Sequence, residues 1–368
     1  MIFFGFSETS GFLMPKPSSA LLPAPATSYL PQYVRPDRKL GVVLIGLGKY
    51  SHDHLAPALR QTQFCELVGV VTDDPDEARA WMERHHLPPQ NCYDYQTFYT
   101  VRNNPNVDIV YVVTPNATHV EYVVQAAEAG KHVICEKPLG ISVKDCETMI
   151  AACSNADVQL AVGYRLHFDP THREAAQLGR HQTFGPVKYL ELAQGFRVER
   201  GDASRLNPNL SGGGPLMDVG IYCVNAARFV TGEEPLAVTA HWVNTHPEKF
   251  KGMEETLVWQ LRFPGGCLAN CATTYAGELG RFYALAEKGY FEIAQPFGYD
   301  TPKGRSHEGD WDFPDVYPPA LLLDEVAQCI LQDIPNPVPG EEGLRDLRVM
   351  EAIYRAAETG REVELKPE

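Results

Sequence analysis

Short apolar runs alternate with longer amphipathic stretches through the first half of the sequence, from Leu40 to Val162. The short runs are rich in β-branched residues and end in turn residues, which predicts strands, and the stretches between them have helical spacing. The predicted strands are Val42–Ile45, Glu66–Val71, Val107–Val113, His132–Cys135 and Gln159–Val162, and the predicted helices are His54–Gln61, Glu77–His85, Glu121–Ala129 and Val143–Ser154. Because strands that alternate with helices form parallel sheets, we expect ligands to bind beyond the carboxyl ends of these strands.

The second half has a different pattern, in which successive strand-like runs follow one another directly. The predicted strands are Val187–Phe196, Val238–Val243, Thr256–Phe263, Cys267–Tyr275 and Phe282–Ala286. Pro264-Gly-Gly266 has the composition of a hairpin turn, which indicates antiparallel pairing. Two amphipathic helices, Leu321–Gln332 and Gly343–Thr359, are expected to return the chain to the first half.

The first predicted strand ends in a glycine-rich turn, Gly46-Leu47-Gly48-Lys49-Tyr50. A tight turn without side chains lets a pyrophosphate approach backbone N–H groups at the start of the next helix. Ser51 occupies the place of the third glycine of the full motif. A plain strand–helix turn is therefore an alternative interpretation of this segment.

Polar residues also follow the other predicted strands: Thr72-Asp73-Asp74, Thr114-Pro115-Asn116 and Glu136-Lys137-Pro138. This coincidence favours a dinucleotide site. An acid at Asp73 is typical of NAD sites, because it accepts from the ribose hydroxyls and repels a 2′-phosphate. Lys49 favours NADP instead, since a cation beside the ribose could hold that phosphate. Asp73 and Asp74 could instead cap the following helix.

Length and charge limit the kinds of function. The 368 residues suggest two domains, and the net charge of −15 argues against nucleic acid or an anionic membrane as a partner. Residues 1–38 are rich in proline and predict an arm, followed by domains at 39–163 and 164–368. No apolar run suits a bilayer, and no secretory signal is evident, so we expect a cytoplasmic protein. The nine cysteines are expected to be reduced thiols, and no cluster has metal-ligand spacing.

Five segments together resemble the Gfo/Idh/MocA oxidoreductases: Gly46–Tyr50, Thr114–Asn116, Cys135-Glu-Lys-Pro-Leu139, Gly163-Tyr-Arg165 and Gly212-Gly-Gly-Pro-Leu-Met-Asp218-Val-Gly-Ile-Tyr222. The sequence over 164–170 and the carboxy-terminal Pro339-Gly-Glu-Glu-Gly343 resemble the glucose–fructose oxidoreductase branch in particular. The resemblance covers about residues 40 to 360.

The resemblance implies an α/β fold with an N-terminal Rossmann domain and a C-terminal α+β domain that has a large open, mostly antiparallel sheet. It implies a homodimer or homotetramer formed through that sheet, with a small-molecule sugar as substrate. Members of this branch hold their nicotinamide tightly, pass hydride between two sugars, and carry an arm that wraps a neighbour. They also have an export signal, which is not evident here.

Oxidation of a carbinol needs a base for the O–H proton and a cation for the developing alkoxide. We assign Tyr222 as the acid/base, Lys137 as its electrostatic partner, and Asp218 as the residue that orients sugar hydroxyls. Most of the family has His in place of Tyr222, whereas the glucose–fructose branch has Tyr. The alternatives are a surface lysine at Lys137 and a core aromatic at Tyr222.

The residues expected to bind the cofactor are Gly46, Leu47, Gly48, Lys49, Tyr50, Thr72, Asp73, Thr114, Pro115, Asn116, His119, Glu136, Lys137 and Arg165. The residues expected to bind the substrate are Lys137, Arg165, Asp218 and Tyr222. His167 is either a structural hydrogen-bonding residue or a ligand-binding one. Tyr275, Arg281 and Tyr283 either contact the sugar or pack in the core. His52 and His54 are interpreted as helix-start residues.

The sequence thus favours an NAD(P)-dependent sugar oxidoreductase that uses NADP(H), with NAD(H) as the alternative. Ping-pong transfer between sugars would give an aldonolactone and a reduced sugar. An ordinary sugar or polyol dehydrogenase with exchangeable cofactor is a second interpretation. A non-catalytic dinucleotide-binding regulator is a third, and the set Lys137, Asp218 and Tyr222 argues against it.

Overall fold

The computed structural model describes residues 37–199 and 201–366. The predicted arm, 1–38, therefore lies outside the described residues except for its last two. The strands are β1 Leu40–Ile45, β2 Cys65–Val71, β3 Cys92–Tyr93, β4 Ile109–Val112, β5 His132–Cys135, β6 Leu160–Val162, β7 Val187–Gly195, β8 Ala237–Val243, β9 Thr256–Arg262, β10 Leu268–Thr274, β11 Leu279–Ala286, β12 Gly289–Ala294, β13 Lys303–Ser306, β14 Gly309–Asp310 and β15 Val363–Glu364.

The α-helices are α1 Ala56–Gln61, α2 Pro75–His85, α3 His119–Glu128, α4 Val143–Asn155, α5 Pro170–Arg180, α6 Pro208–Ser211, α7 Ile221–Thr231, α8 Pro318–Gln332 and α9 Gly340–Thr359. Two of them are preceded by π-helical turns, Ser51–Leu55 before α1 and Leu216–Gly220 before α7. None of the helices within the described ranges is long and apolar enough to cross a bilayer.

A six-stranded parallel sheet in the order β3-β2-β1-β4-β5-β6 forms the first half. Every residue of β1 and β4 is buried, as expected of strands covered on both faces. The predicted parallel sheet is confirmed. The order reverses between β1 and β4, and that crevice is where ligands bind in such sheets. The two-residue β3 was missed because it is too short to give a periodic signal.

A nine-stranded sheet in the order β14-β13-β12-β11-β7-β10-β9-β8-β15 forms the second half. All neighbours are antiparallel except β7 and β10, so the prediction of a mostly antiparallel sheet is confirmed. Residues 264–266 connect the antiparallel strands β9 and β10, as predicted. The sequence did not predict β12 to β15, nor the helix α5.

One face of the nine-stranded sheet packs against helices, and the other face is open. The strands alternate buried and exposed residues, as in β9. The open face carries large exposed apolar side chains, which are Val243, Val258, Leu268, Leu279 and Leu285. The helices α8 and α9 return to the parallel sheet, where α9 packs against α4 and β6. The proposed domain limits, 39–163 and 164–368, stay a prediction.

Candidate active site

The glycine turn follows β1 as the sequence predicts. Gly46 has a φ of +95°, and a Cβ there would lie 2.8 Å from the carbonyl carbon of Val113. Only glycine fits this combination of a left-handed conformation and close contact with the next strand. Ser51, in the place of the third glycine, is buried and donates its hydroxyl to the Gly46 carbonyl at 2.6 Å. The serine therefore stabilises the same turn by a hydrogen bond.

The two signals for cofactor choice, Lys49 and Asp73, have different surroundings. The Lys49 side chain is 90% exposed and forms an ion pair with Asp53 four residues along. The Asp73 carboxylate accepts the backbone N–H of Tyr95 at 3.0 Å. Asp74, not Asp73, caps α2. The capping role therefore applies to Asp74 only, and Asp73 lies just after the end of β2.

Thr114-Pro115-Asn116 and Glu136-Lys137-Pro138 follow the adjacent strands β4 and β5, and His119 joins these two loops. Its ring nitrogens lie 2.9 Å from the Thr114 carbonyl and 3.0 Å from the Pro138 carbonyl. The imidazole is fully buried, and this burial lowers its pKa. His119 therefore fixes the spacing of the loops. Asn116 extends the connection to the second half by donating to the Ser211 carbonyl at 2.8 Å.

Glu136 is buried behind the lysine loop. It accepts the Tyr111 hydroxyl at 2.8 Å and the Lys137 backbone N–H at 3.2 Å. Burial raises the pKa of the Glu136 carboxyl. Gly163 makes room for it, since a Cβ at that position would lie 2.6 Å from a Glu136 oxygen.

Lys137, Asp218 and Tyr222 come together at the carboxyl end of β5. The Lys137 ammonium donates to the Asp218 backbone carbonyl at 2.5 Å and lies 3.9 Å from that carboxylate. The same ammonium lies 4.7 Å from the centroid of the Tyr222 ring. The Lys137 side chain is only 13% exposed. The structure therefore brings together the three residues to which we assigned chemistry, and Lys137 is not a free surface lysine.

Asp218 also accepts hydrogen bonds from two residues that the sequence analysis did not assign to this cluster. Arg205 Nε donates to Asp218 Oδ2 at 2.7 Å, and the Tyr275 hydroxyl donates to the same oxygen at 3.0 Å. Burial and the nearby Asp218 charge raise the pKa of the Tyr275 phenol. Tyr275 is therefore buried in the core, which was one of its two expected roles, and its hydroxyl also supports Asp218.

Glu254 supports the glycine segment that precedes Asp218. This buried carboxylate accepts the backbone N–H groups of Gly214 and Leu216 at 3.1 and 3.0 Å. It also accepts the Tyr354 hydroxyl at 3.0 Å. Burial raises the pKa of the Glu254 carboxyl. No sequence pattern indicated this role, because the partners lie far apart along the chain.

Arg165 and His167 follow β6 and differ in role. Arg165 is 3% exposed and lies with its guanidinium carbon 5.6 Å from the Tyr222 ring centroid. His167 contacts the Asn225 side-chain oxygen at 2.7 Å through Nε2, and burial lowers its pKa to about 4. His167 therefore has a structural contact within the core, whereas Arg165 borders the cluster.

Arg281 and Tyr283 lie on the open face of the nine-stranded sheet. Arg281 pairs with Glu191 and Glu292, and Tyr283 stacks on Tyr290. Phe282 between them points the other way, toward Phe297 beside Tyr222. The structure does not bring Arg281 or Tyr283 together with the residues of the site.

His52 and His54 lie in the π-helical turn that starts the first helix, as predicted. His52 accepts from Trp81 Nε1 at 3.1 Å, and His54 Nδ1 lies 3.1 Å from the Tyr317 hydroxyl. In the two described ranges, no group of three or more His, Cys, Asp or Glu side chains could hold a metal ion.

Two observations fit a dinucleotide in the crevice. The second glycine of the turn, Gly48, leaves open space before the first helix, because a Cβ there would meet no atom within 4 Å. Arg165 Nε is buried and has no acceptor among the described residues, as expected of a group that binds an anionic or polar ligand.

Comparisons with known proteins agree with this geometry. Residues 40–164 match the oxidoreductase family GFO_IDH_MocA, described by its NAD-binding Rossmann fold, and residues 172–292 match the GFO/IDH/MocA C-terminal domain. The D-xylose 1-dehydrogenase [NADP(+)] of Haloarcula marismortui is 30% identical over 89% of this chain and 94% of its own length. The 1,5-anhydro-D-fructose reductase of Ensifer adhaerens is 29% identical over 88% of this chain and 98% of its own.

Among solved structures, the aldose-aldose oxidoreductase from Caulobacter crescentus complexed with glycerol superimposes with a TM-score of 0.87. It is 40% identical, and the match covers 89% of this chain and all of the other.

Proposed function

Because the chain belongs to the Gfo/Idh/MocA oxidoreductase family, with an NAD-binding Rossmann domain, we propose that it transfers hydride between an aldose or related sugar carbinol and a nicotinamide cofactor. The observation that carries this proposal is the meeting of Lys137, Asp218 and Tyr222 at the carboxyl end of β5, in the sheet whose first strand ends in the glycine turn. Relatives with sugar substrates in their names support the substrate class.

Lys137, Gly46, Thr114 and Arg165 belong to the surface that would hold the dinucleotide. When bound, the nicotinamide would take hydride from one sugar and, in the ping-pong form of the proposal, return it to a second, giving an aldonolactone and a reduced sugar. We propose NADP(H) as the cofactor, whose 2′-phosphate the exposed Lys49 would bind. The NADP(+) in the name of the Haloarcula relative supports this choice.

The protein residues divide the acid–base work. Tyr222 takes the hydroxyl proton of the sugar and later returns it to the carbonyl oxygen that forms an alcohol. The Lys137 ammonium stabilises negative charge on the reacting oxygens. Asp218 accepts hydrogen bonds from sugar hydroxyls with the oxygen that faces away from Arg205 and Tyr275, which fixes the orientation of the ring.

An ordinary dehydrogenase with exchangeable cofactor is the second candidate. The similarity to a D-xylose 1-dehydrogenase over 89% of this chain favours it. Both candidates use the same residues, and they differ in whether the cofactor leaves between half-reactions.

We also propose a homodimer or homotetramer formed through the nine-stranded sheet. Its open face exposes Val243 on β8, Val258 on β9 and Leu279 on β11. An apolar face of this kind on a protein surface is typical of an association site.

The experiment is the near-ultraviolet spectrum of the purified protein, before and after an aldose such as glucose is added. A reduced-nicotinamide band that appears with one sugar and is bleached by another supports sugar–sugar transfer with retained cofactor. Steady reduction only after dinucleotide is supplied supports the ordinary dehydrogenase. Binding of dinucleotide without turnover of any aldose, ketose or polyol contradicts both and favours a regulator.

A further inference from the structure

The connection between β12 and β13 leaves the nine-stranded sheet and crosses to the Rossmann domain. Gln295, with a φ of +52°, turns the chain out of β12. Phe297 is then buried and stacks on Tyr222, with ring centroids 5.7 Å apart and planes within 14°. Tyr299 stacks on His54, with centroids 3.7 Å apart and planes within 16°. We call Phe297, Gly298 and Tyr299 the aromatic clasp.

Arg165 contacts all three residues of the clasp. One of its terminal nitrogens donates to the carbonyls of Phe297 and Gly298, at 2.8 and 2.9 Å. Its guanidinium carbon lies 4.2 Å from the centroid of the Tyr299 ring, within the range of a cation–π contact. Arg165 and Phe297 are both 3% exposed, so the contact between them is shielded from water.

The clasp connects the two ends of the candidate site. Phe297 lies against Tyr222, where the sugar is expected to react. Tyr299 lies against His54, in the first helical turn after the glycine motif, and 6.1 Å from the Tyr50 ring. A dinucleotide that reached from the glycine turn to Tyr222 would pass between these contacts, so the clasp would lie beside its exit path.

We propose that Tyr299 is a positioning residue that retains the dinucleotide, so that opening of the clasp limits cofactor release. This inference rests on the proposed function. Phe297 anchors the clasp in the core, while Tyr299 is 46% exposed and forms its outer part. The second domain thus supplies a contact that decides between a retained and an exchangeable cofactor.

The exposure of Tyr299 makes it suitable for substitution, because the fold does not depend on its burial. The experiment loads the protein with NADPH, adds excess NADP+, and follows the release of NADPH by its fluorescence. Tyr299→Ala should release NADPH at least about tenfold faster than the unsubstituted protein, since it loses both the stacking and the cation–π contact. Tyr299→Phe keeps the aromatic ring and should release NADPH as slowly as the unsubstituted protein.

Tyr99→Ala is the matched control, because Tyr99 is 56% exposed in a different part of the Rossmann domain. Its release rate should equal that of the unsubstituted protein. Equal rates for Tyr299→Ala and the unsubstituted protein would overturn the clasp while leaving the proposed function intact. Failure of the unsubstituted protein to bind NADPH or NADH would instead overturn the proposed function and the clasp with it.

Discussion

The substitution Tyr275→Phe tests whether Asp218 must be held in place. Tyr275 is 1% exposed, and its hydroxyl donates to Asp218 Oδ2 at 3.0 Å. A hydrogen bond to a charged group contributes about 1.5–3 kcal/mol. Arg205 still donates to the same oxygen at 2.7 Å, so we expect the lower end of that range. A loss of about 1.4 kcal/mol corresponds to a roughly tenfold lower kcat/KM.

The fold should tolerate this change, because the ring of residue 275 keeps its contacts with Phe196 and Phe250. The assay compares kcat/KM for the sugar and the urea midpoint of each protein. Tyr189→Phe is the control, since its hydroxyl accepts from Asn270 at 3.2 Å on the open sheet face. An unchanged kcat/KM for Tyr275→Phe at normal stability would refute the role of this hydrogen bond.

Four further substitutions test other residues of the structure. Tyr222→Phe should lower kcat by about 10²-fold or more while dinucleotide binding persists, whereas Tyr283→Phe on the open sheet face should turn over normally; near-normal turnover of Tyr222→Phe would remove it as the acid/base. Lys49→Ala should weaken NADP+ binding roughly fivefold and leave NAD+ unchanged in parallel titrations, and equal weakening of both would exclude a phosphate contact. His167 has a folded pKa of about 4 against an ordinary 6.5, so its contribution to stability is present above pH 6.5 and is lost as the pH falls toward 4; between pH 7 and 5 the unsubstituted protein should lose ~2 kcal/mol more unfolding free energy than His167→Gln, and equal losses in urea titrations would contradict this. Arg228→Met should cost about 3–5 kcal/mol in urea unfolding because it leaves the buried Asp346 carboxylate without its cation and Glu342 with Arg345 alone, and a variant as stable as the unsubstituted protein would refute that account.

The sequence predicted the parallel sheet and the positions of its loops because both signals are local. A β-branched run followed by a glycine or proline turn identifies a strand end without knowledge of the rest of the chain. The carboxyl ends of parallel strands meet at one edge, so Gly46, Thr114 and Lys137 could be placed together in advance. The spacing of Asp218 and Tyr222 indicated one helical face, and both do lie near Lys137.

The supporting residues could not be predicted, because their partners are far apart in sequence. Arg205, Glu254 and Tyr275 contact the segment 214–218 only through the tertiary fold. Aromatic residues in strands usually form core, so Tyr275 and Tyr283 looked alike in sequence. Only the direction of each side chain separates them, and a shift of one residue along a strand reverses that direction.

The carboxy-terminal motif around Glu342 explains how the helix that carries Tyr222 is fixed. Arg228 lies on that same helix, α7, and its guanidinium bonds Glu342 at 2.8 Å and also pairs with Asp346. Asp346 in turn accepts the Tyr164 hydroxyl at 2.5 Å, beside Arg165 in sequence. Buried ion pairs contribute little net stability, but breaking one is costly, so they permit few alternative arrangements. The network therefore couples α7, α9 and the segment after β6, which places Tyr222 and Arg165 relative to each other before any ligand binds.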